Sequence, residues 1–249
     1  MDPLHQSSVG NLLLRYCAPE DFELLRPHLT RQDLPTHTVV ARPNEPIEFV
    51  YFPEGGVVSI VAEQEGGDNV EVGLIGLEGV SGTAVLLDAE QSPQTSMIQI
   101  DGAPALKMEA SRLVRICDER PSLRKLLLRF AQSLNVQAAS TAAANAHLAL
   151  PERLARWLLM CHDRVGGDQL ELTHEFMSMM LAVRRSSVTV TLHALEGTRA
   201  IRGTRGAVTV LDRERLEEIA GHSYGEAETE YRRLVGPFGK GKHGLRSVA

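Results

Sequence analysis

Thirty residues, 172–201 with the sequence LTHEFMSMMLAVRRSSVTVTLHALEGTRAI, constrain this chain more than any other feature. Thr173 stands where a hydroxyl caps a helix, and Leu172, Phe176, Met179 and Met180 recur behind it at helical spacing. That pattern runs out near residues 181–183. A second one follows, with Val188, Leu192 and Leu195 at i, i+4 and i+7 as its buried stripe. Such a helix turns Arg185, Ser186, Thr189 and Val190 outward near its N-terminal end. Two short helices across a tight break, the second opening on Arg184 and Arg185, suit a helix-turn-helix that reads DNA. A helix N-terminus directs free N–H groups and partial positive charge at a phosphate, and arginine grips guanine O6 and N7 with both arms.

The next stretch, residues 199–211 (RAIRGTRGAVTVL), places a glycine-bounded basic turn between two short apolar runs, the pattern of a hairpin or wing. Arg205 sits at its tip. Between Arg184 and Arg215 seven arginines face only Glu196, Asp212 and Glu214, a local balance of +4 in a chain of net charge −6. From Glu45 to Arg120, fourteen carboxylates face only Lys107, Arg112, Arg115 and Arg120. That half repels nucleic acid, so DNA is assigned to the C-terminal part. An arginine pair on a solvated helix face is the competing reading, and the wing and the charge reversal weigh against it.

Upstream the periodicity is that of strands. Residues 38–41, 48–52, 57–61, 69–74, 97–100 and 105–108 are β-rich runs separated by turns at 43–46, 55–56, 66–68 and 101–104. Many short strands imply a sandwich or closed barrel, preceded by short helices around Leu12–Leu13–Leu14 and Phe22–Leu24–Leu25. Ser111 is expected to cap a short helix to Asp118, and Pro121 to open a long one through Leu148. Between Arg129 and Leu148 that helix carries no charge, and Leu127, Leu128, Phe130, Ala131, Leu134, Ala138, Ala142 and Ala146 recur at helical spacing. Its small, uncharged second half asks for another helix against it; a second copy of the chain is the simplest partner, its own domain the alternative. Pro151–Glu152–Arg153 opens a further helix into the reader segment, and the glycine-rich, basic tail 236–249 reads as disordered.

Other chemistries lack their residues. The glycines at 73, 76, 79 and 82 are not followed by a phosphate-cradling lysine and read as turn glycines of the β-rich half. No histidine lies between Thr38 and Met108, so a metal-binding barrel is not indicated; His174–Glu175 is not a zinc motif because residue 178 is Ser. Ser186–Ser187 has no nearby His–Asp partnership, so no nucleophile and no enzyme are expected. Cys17, Cys117 and Cys161 are scattered and odd in number, expected as reduced, partly buried thiols. No run approaches the roughly 20 apolar residues of a membrane helix and the N-terminus lacks a signal layout, so no membrane association and a cytoplasmic location are expected.

The whole layout resembles the Crp/Fnr superfamily of bacterial transcription regulators. The resemblance rests on a β-roll, a long helix, the ERLARWLL helix at 152–159, the segment 172–189 and a basic wing, and covers roughly residues 11–234. It implies an α+β fold: an N-terminal, jelly-roll-like cyclic-nucleotide-binding-type β-roll as sensory domain (1–120), a dimerisation helix (121–149) and a C-terminal winged helix-turn-helix (150–235). It also implies a homodimer on a palindromic operator, with RNA polymerase as a further partner. By register Arg185 matches the guanine-reading arginine, Ser186 and Val190 other base-facing positions, and Thr173 a phosphate-contacting cap; Arg184, Thr189 and Arg205 complete the expected contacts. The segment 76–84 departs from the family's cyclic-nucleotide pocket: no acid follows Gly82, and Gln94–Thr95 stands where the phosphate-binding arginine belongs. Without that cation cyclic AMP is not the expected effector. Cys17 alone does not make an iron–sulfur cluster, haem ligation has no recognisable context, and no cofactor or metal is expected. The alternative is a small-molecule-binding signalling module whose C-terminal domain binds protein instead of DNA.

Overall fold

The computed structural model describes residues 4–63, 69–100 and 104–241. After α1 (Leu12–Tyr16) and α2 (Pro19–Leu25) come β1 (Thr30–Gln32), β2 (Val39–Ala41), β3 (Phe49–Pro53), β4 (Val57–Ala62), β5 (Val70–Ile75), β6 (Thr95–Ile100) and β7 (Ala105–Glu109). They form two antiparallel sheets, β1-β7-β3 and β2-β6-β4-β5, closing a roll. The expected α+β fold with an N-terminal roll and a C-terminal winged helix is what the chain adopts. All six expected strands form, but β1 went unread: TRQ carries no apolar alternation. The expected turns at 66–68 and 101–103 lie outside the described residues.

The roll is filled by Val50, Phe52, Val58, Ile98, Leu106 and Met108, with α1, α2 and α3 (Ala110–Glu119) closing it. Helix α3 begins at Ala110 with Glu109 at its cap and no side-chain cap bond, so Ser111 lies inside the helix and does not cap it. Strand β7 runs straight into the helix and Ala110 N donates to Glu48 O, which satisfies the donor a cap would have taken. The glycines were expected as turn residues. Gly73 instead lies within β5, and Gly76 is where the Arg164 side chain comes so close that a Cβ would stand 2.6 Å from its Cγ.

Helix α4 (Pro121–His147) carries two stripes. Leu123, Leu127, Phe130, Ser133, Gln137 and Ala144 are buried on one side; Pro121, Lys125, Leu128, Gln132, Asn135, Ala139, Ala142 and Ala146 are exposed on the other at alternating spacings of four and three. Beyond it lie α5 (Leu150–His162), β8 (Gln169–Glu171), α6 (His174–Met180), α7 (Arg185–Gly197), β9 (Ile201–Thr204), β10 (Ala207–Val210), α8 (Arg213–Ala220) and α9 (Glu226–Leu234). Helix α9 packs along α4.

Two features were not expected. Strand β4 is buried on both faces: Val58 faces the roll, while Val57 and Val61, with Leu74 and Ile100, join one apolar cluster with Leu154, Trp157, Leu158, Phe176 and Met180 of the C-terminal helices. The C-terminal unit thus docks on the outer face of the four-stranded sheet. The tail is the second correction, for residues 236–241 do not form a disordered tail. Phe238 is 2% exposed and belongs to the roll's apolar cluster, and its burial together with the hydrogen bonds from Tyr16 to Pro237 O, from Arg232 to Phe238 O and from Lys240 N to Asp163 holds the segment in place. Residues 242–249, the rest of the expected tail, lie outside the described residues. Cys17, Cys117 and Cys161 are free and buried.

Candidate nucleic-acid interface

Helices α6 and α7 meet across a turn centred on Ala182, which adopts φ +51°, a conformation a Cβ disfavours. The turn is held from outside by Arg153, whose Nη2 donates to Leu181 O at 2.5 Å. At the start of α6 the Thr173 hydroxyl accepts from Phe176 N at 3.1 Å, the cap expected of it. Buried Val188, Leu192 and Leu195 seat α7 against α5 and α6, and this fixes which residues face out. Arg184, at the helix cap, and Arg185 and Ser186 in its first turn are exposed; Val190 is 70% exposed, more than any other large apolar side chain among the described residues. No acidic residue lies in that first turn, and neither arginine has an ion-pair partner among the described residues. The positive end of the helix and two guanidinium groups therefore share one open face.

Thr189 differs from its neighbours. Its hydroxyl bonds His174 Nδ1 at 2.9 Å and donates to Arg185 O at 3.2 Å, so it is half-buried and braces α6 against α7. In the sequence His174 had no role beyond the rejected zinc motif.

The wing forms as expected. β9 and β10 pair antiparallel from Thr204↔Ala207 to Ile201↔Val210, leaving Arg205–Gly206 as a two-residue tip; Gly206 has φ +82°. β8 adds a third strand to β10. Exposed Arg205 and Arg202 face solvent on this hairpin. Glu196, the lone acid of the segment 184–211, ties the wing to the reading helix: its Oε1 accepts from Gly203 N at 2.7 Å and its Oε2 meets His193 Nδ1 at 3.0 Å. The Gly203 amide, helped by His193, holds its carboxyl below the usual carboxylate range. Sequence reasoning counted Glu196 only as a charge; its isolation among arginines was the available signal.

Residues 152–219, which contain all seven candidate contacts, match the Crp-like helix-turn-helix domain. Over those residues the chain is similar to Crp-type DNA-binding domains. The global nitrogen regulator of Nostoc sp. is 26% identical over 177 residues, which takes in 68% of this chain and 79% of that protein. Among solved structures, FixK2 from Bradyrhizobium japonicum superposes on this chain with a TM-score of 0.67 at 16% identity, covering 78% of this chain and 98% of its own. A crp/fnr-family protein from Eubacterium rectale gives 0.65 at 17% identity, covering 85% and 98%. The c-di-GMP responsive regulator CLP of Xanthomonas campestris gives 0.62 at 18%, covering 78% and 99%.

The N-terminal roll is joined to the C-terminal unit through buried polar groups that the sequence did not announce. Glu78, in the loop after β5, pairs with Arg164 just beyond α5 at 2.8 Å, both nearly inaccessible. Arg164 also donates to Met160 O at 2.7 Å, and Tyr231 of α9 donates to Glu78 O at 2.8 Å. Burial raises the Glu78 carboxyl against the pull of Arg164; burial by itself lowers Arg164, but Glu78, Glu228 and Asp163 outweigh it and hold the guanidinium charged. On the sheet face, Trp157 Nε1 donates to Glu71 Oε1 at 2.7 Å and Ser59 Oγ to its other oxygen at 2.6 Å. Burial pushes Glu71 up to about 8, so it is mostly protonated at neutral pH.

Around the segments 76–84 and 94–95, Glu78 is committed to Arg164, Thr95 donates to the Glu63 carboxylate, and Gln94 is paired with Ser92 at 2.6 Å. A void inside the roll among Leu34, Val58, Ile98 and Ala105 measures about 10 Å³, room for one water. No helix among the described residues is long and apolar enough to cross a membrane.

Proposed function

We propose that two copies of this chain bind a palindromic operator in duplex DNA, each laying the N-terminal half of α7 in the major groove. Arg185 reads a guanine edge, Ser186 and Val190 face neighbouring bases, Val190 offering an apolar contact to a thymine methyl. Arg184, Thr173 and wing-tip Arg205 meet phosphates, and Thr189 contributes chiefly by bracing the reader. One observation carries the reading: the first turn of α7 is exposed, free of carboxylates and aimed outward by the buried stripe beneath it. The dimer is supported by the exposed four-three stripe of α4, whose small Ala139, Ala142 and Ala146 let a second helix approach closely. Cyclic AMP is not the effector, because a carboxylate on Thr95 and the occupied Glu78 oppose an anionic phosphate and its ribose.

Band shifts with operator variants test this. Arg185→Ala loses about 1–3 kcal/mol on the cognate operator and relaxes preference at one base pair per half-site. Arg205→Ala weakens all sequences alike and flattens the salt dependence. Equal loss on every sequence for Arg185→Ala reduces that residue to a phosphate contact, and an unchanged salt slope for Arg205→Ala removes the wing from the interface.

A further inference from the structure

We propose that residues 236–241 are a strap that bolts the reader to its own sensory roll, with Phe238 as the bolt. Phe238 is 2% exposed, although it lies beyond the last helix. Its ring packs on Tyr231 of α9, centroids 5.2 Å apart, and under the Arg164 guanidinium at 5.2 Å. Arg164 is itself the group that crosses to Glu78 of the roll. On one side of this plug Tyr16 of α1 donates to Pro237 O at 2.8 Å, and its ring is so near that a Cβ at Gly236 would stand 2.8 Å away. On the other side Lys240 N donates to the Asp163 carboxylate at 2.9 Å and Lys240 Nζ to Gly167 O, both in the reader. Arg232 donates to Phe238 O at 3.1 Å and holds the segment against α9.

Six residues thus touch the first helix of the roll, the loop after α5 and the last helix of the reader. Chain connectivity alone does not require this, since α4 and the short 148–149 link already join the two units. The reading face stays open while the strap is closed: Arg184, Arg185, Ser186 and Arg205 are exposed in the same molecule. The strap therefore does not hide the reader from DNA. It fixes the reader's orientation on α4, and in a dimer it fixes the separation of the two reading helices. That last consequence rests on the dimeric DNA-binding reading above; the strap itself does not.

Hydrogen exchange in the full chain is the first test. The amide of Lys240, bonded to the Asp163 carboxylate, exchanges at least about tenfold more slowly than in an unstructured peptide; exchange at the peptide rate overturns the strap. Limited proteolysis is the second, with a chain ending at Val235 and with Phe238→Ala. Both are cut faster at the α4–α5 link, by about tenfold for the loss of one buried aromatic, with no matching rise in cutting inside the roll, and Phe238→Leu stays near the parent rate. Equal cutting at the link, or an equal rise everywhere, refutes a specific bolt. The third readout is affinity for paired half-sites with one base pair inserted between them: the shortened chain loses fewer-fold than the full chain. If neither chain binds any duplex, the DNA-reading proposal fails while exchange and proteolysis still decide the strap; if both bind and lose affinity equally, the strap does not set the spacing.

Discussion

Replacing Arg164 by Met removes the cation of the buried pair that joins the roll to the reader, while the thioether fills much of the space of the arginine stem. Breaking one side of such a pair costs about 3–5 kcal/mol, because the remaining carboxylate is left buried and uncompensated. Set against a total stability on the order of 5–15 kcal/mol, that is a large fraction. The cost has a ceiling, since Glu78 escapes it by taking a proton. Burial already raises its carboxyl, and removing Arg164 raises it further. A carboxyl with a folded pKa above its unfolded one carries no penalty below the unfolded value and accumulates it as pH rises toward the folded value. The loss in Arg164→Met is therefore larger at pH 8 than at pH 5. Urea unfolding followed by the fluorescence of Trp157, the only tryptophan of the chain and buried at this boundary, measures both. Adding Glu78→Gln recovers part of the loss; Glu228, whose charge also faces Arg164, keeps the recovery incomplete. A loss below about 1 kcal/mol at pH 8, or equal losses at the two pH values, refutes the argument that this pair is closed to water and mutually dependent.

Two further outcomes follow from the same contacts. Burial holds Glu71 at about 8, so the native state gains a proton relative to the unfolded chain and loses stability as pH rises from the ordinary carboxylate range to about 8. Glu71→Gln keeps an acceptor for Trp157 and flattens that slope in melting temperature between pH 5 and 8; an unchanged slope places the dependence elsewhere. Ala182→Gly relieves the positive φ of the reader's turn and raises stability by about 0.5–1 kcal/mol in urea unfolding, whereas a loss means that the turn tolerates alanine without strain.

The reader was the most legible part of the chain because its geometry is local. Val188, Leu192 and Leu195 fix the face of α7 by periodicity alone, and the exposed position of Arg184, Arg185 and Ser186 follows without knowledge of any distant contact. Six strands were readable for the same reason, whereas β1 is defined only by pairing with β7. What the sequence did not disclose is long-range. Glu78–Arg164 and Glu71–Trp157 each join residues 86 positions apart, and nothing in either neighbourhood marks the partner. Both faces of β4 are apolar, but two-sided burial says only that something covers the strand, not that the reader does. The tail misled because glycine and lysine dominate its composition, while a single phenylalanine decides its place.

The two stripes of α4 carry a geometric consequence for any assembly built on it. An α-helix has 3.6 residues per turn, so positions repeating every 3.5 drift by about 20° per seven residues around a straight axis. Over the 27 residues of α4 that amounts to roughly 80°. Two such helices stay in register only by winding around each other left-handedly, and the inner stripe must then wind with the outer one. A change of pitch at the outer seam is thereby transmitted to α9 and the roll on the inner side, and the helix acts as a torsion bar between its two neighbours.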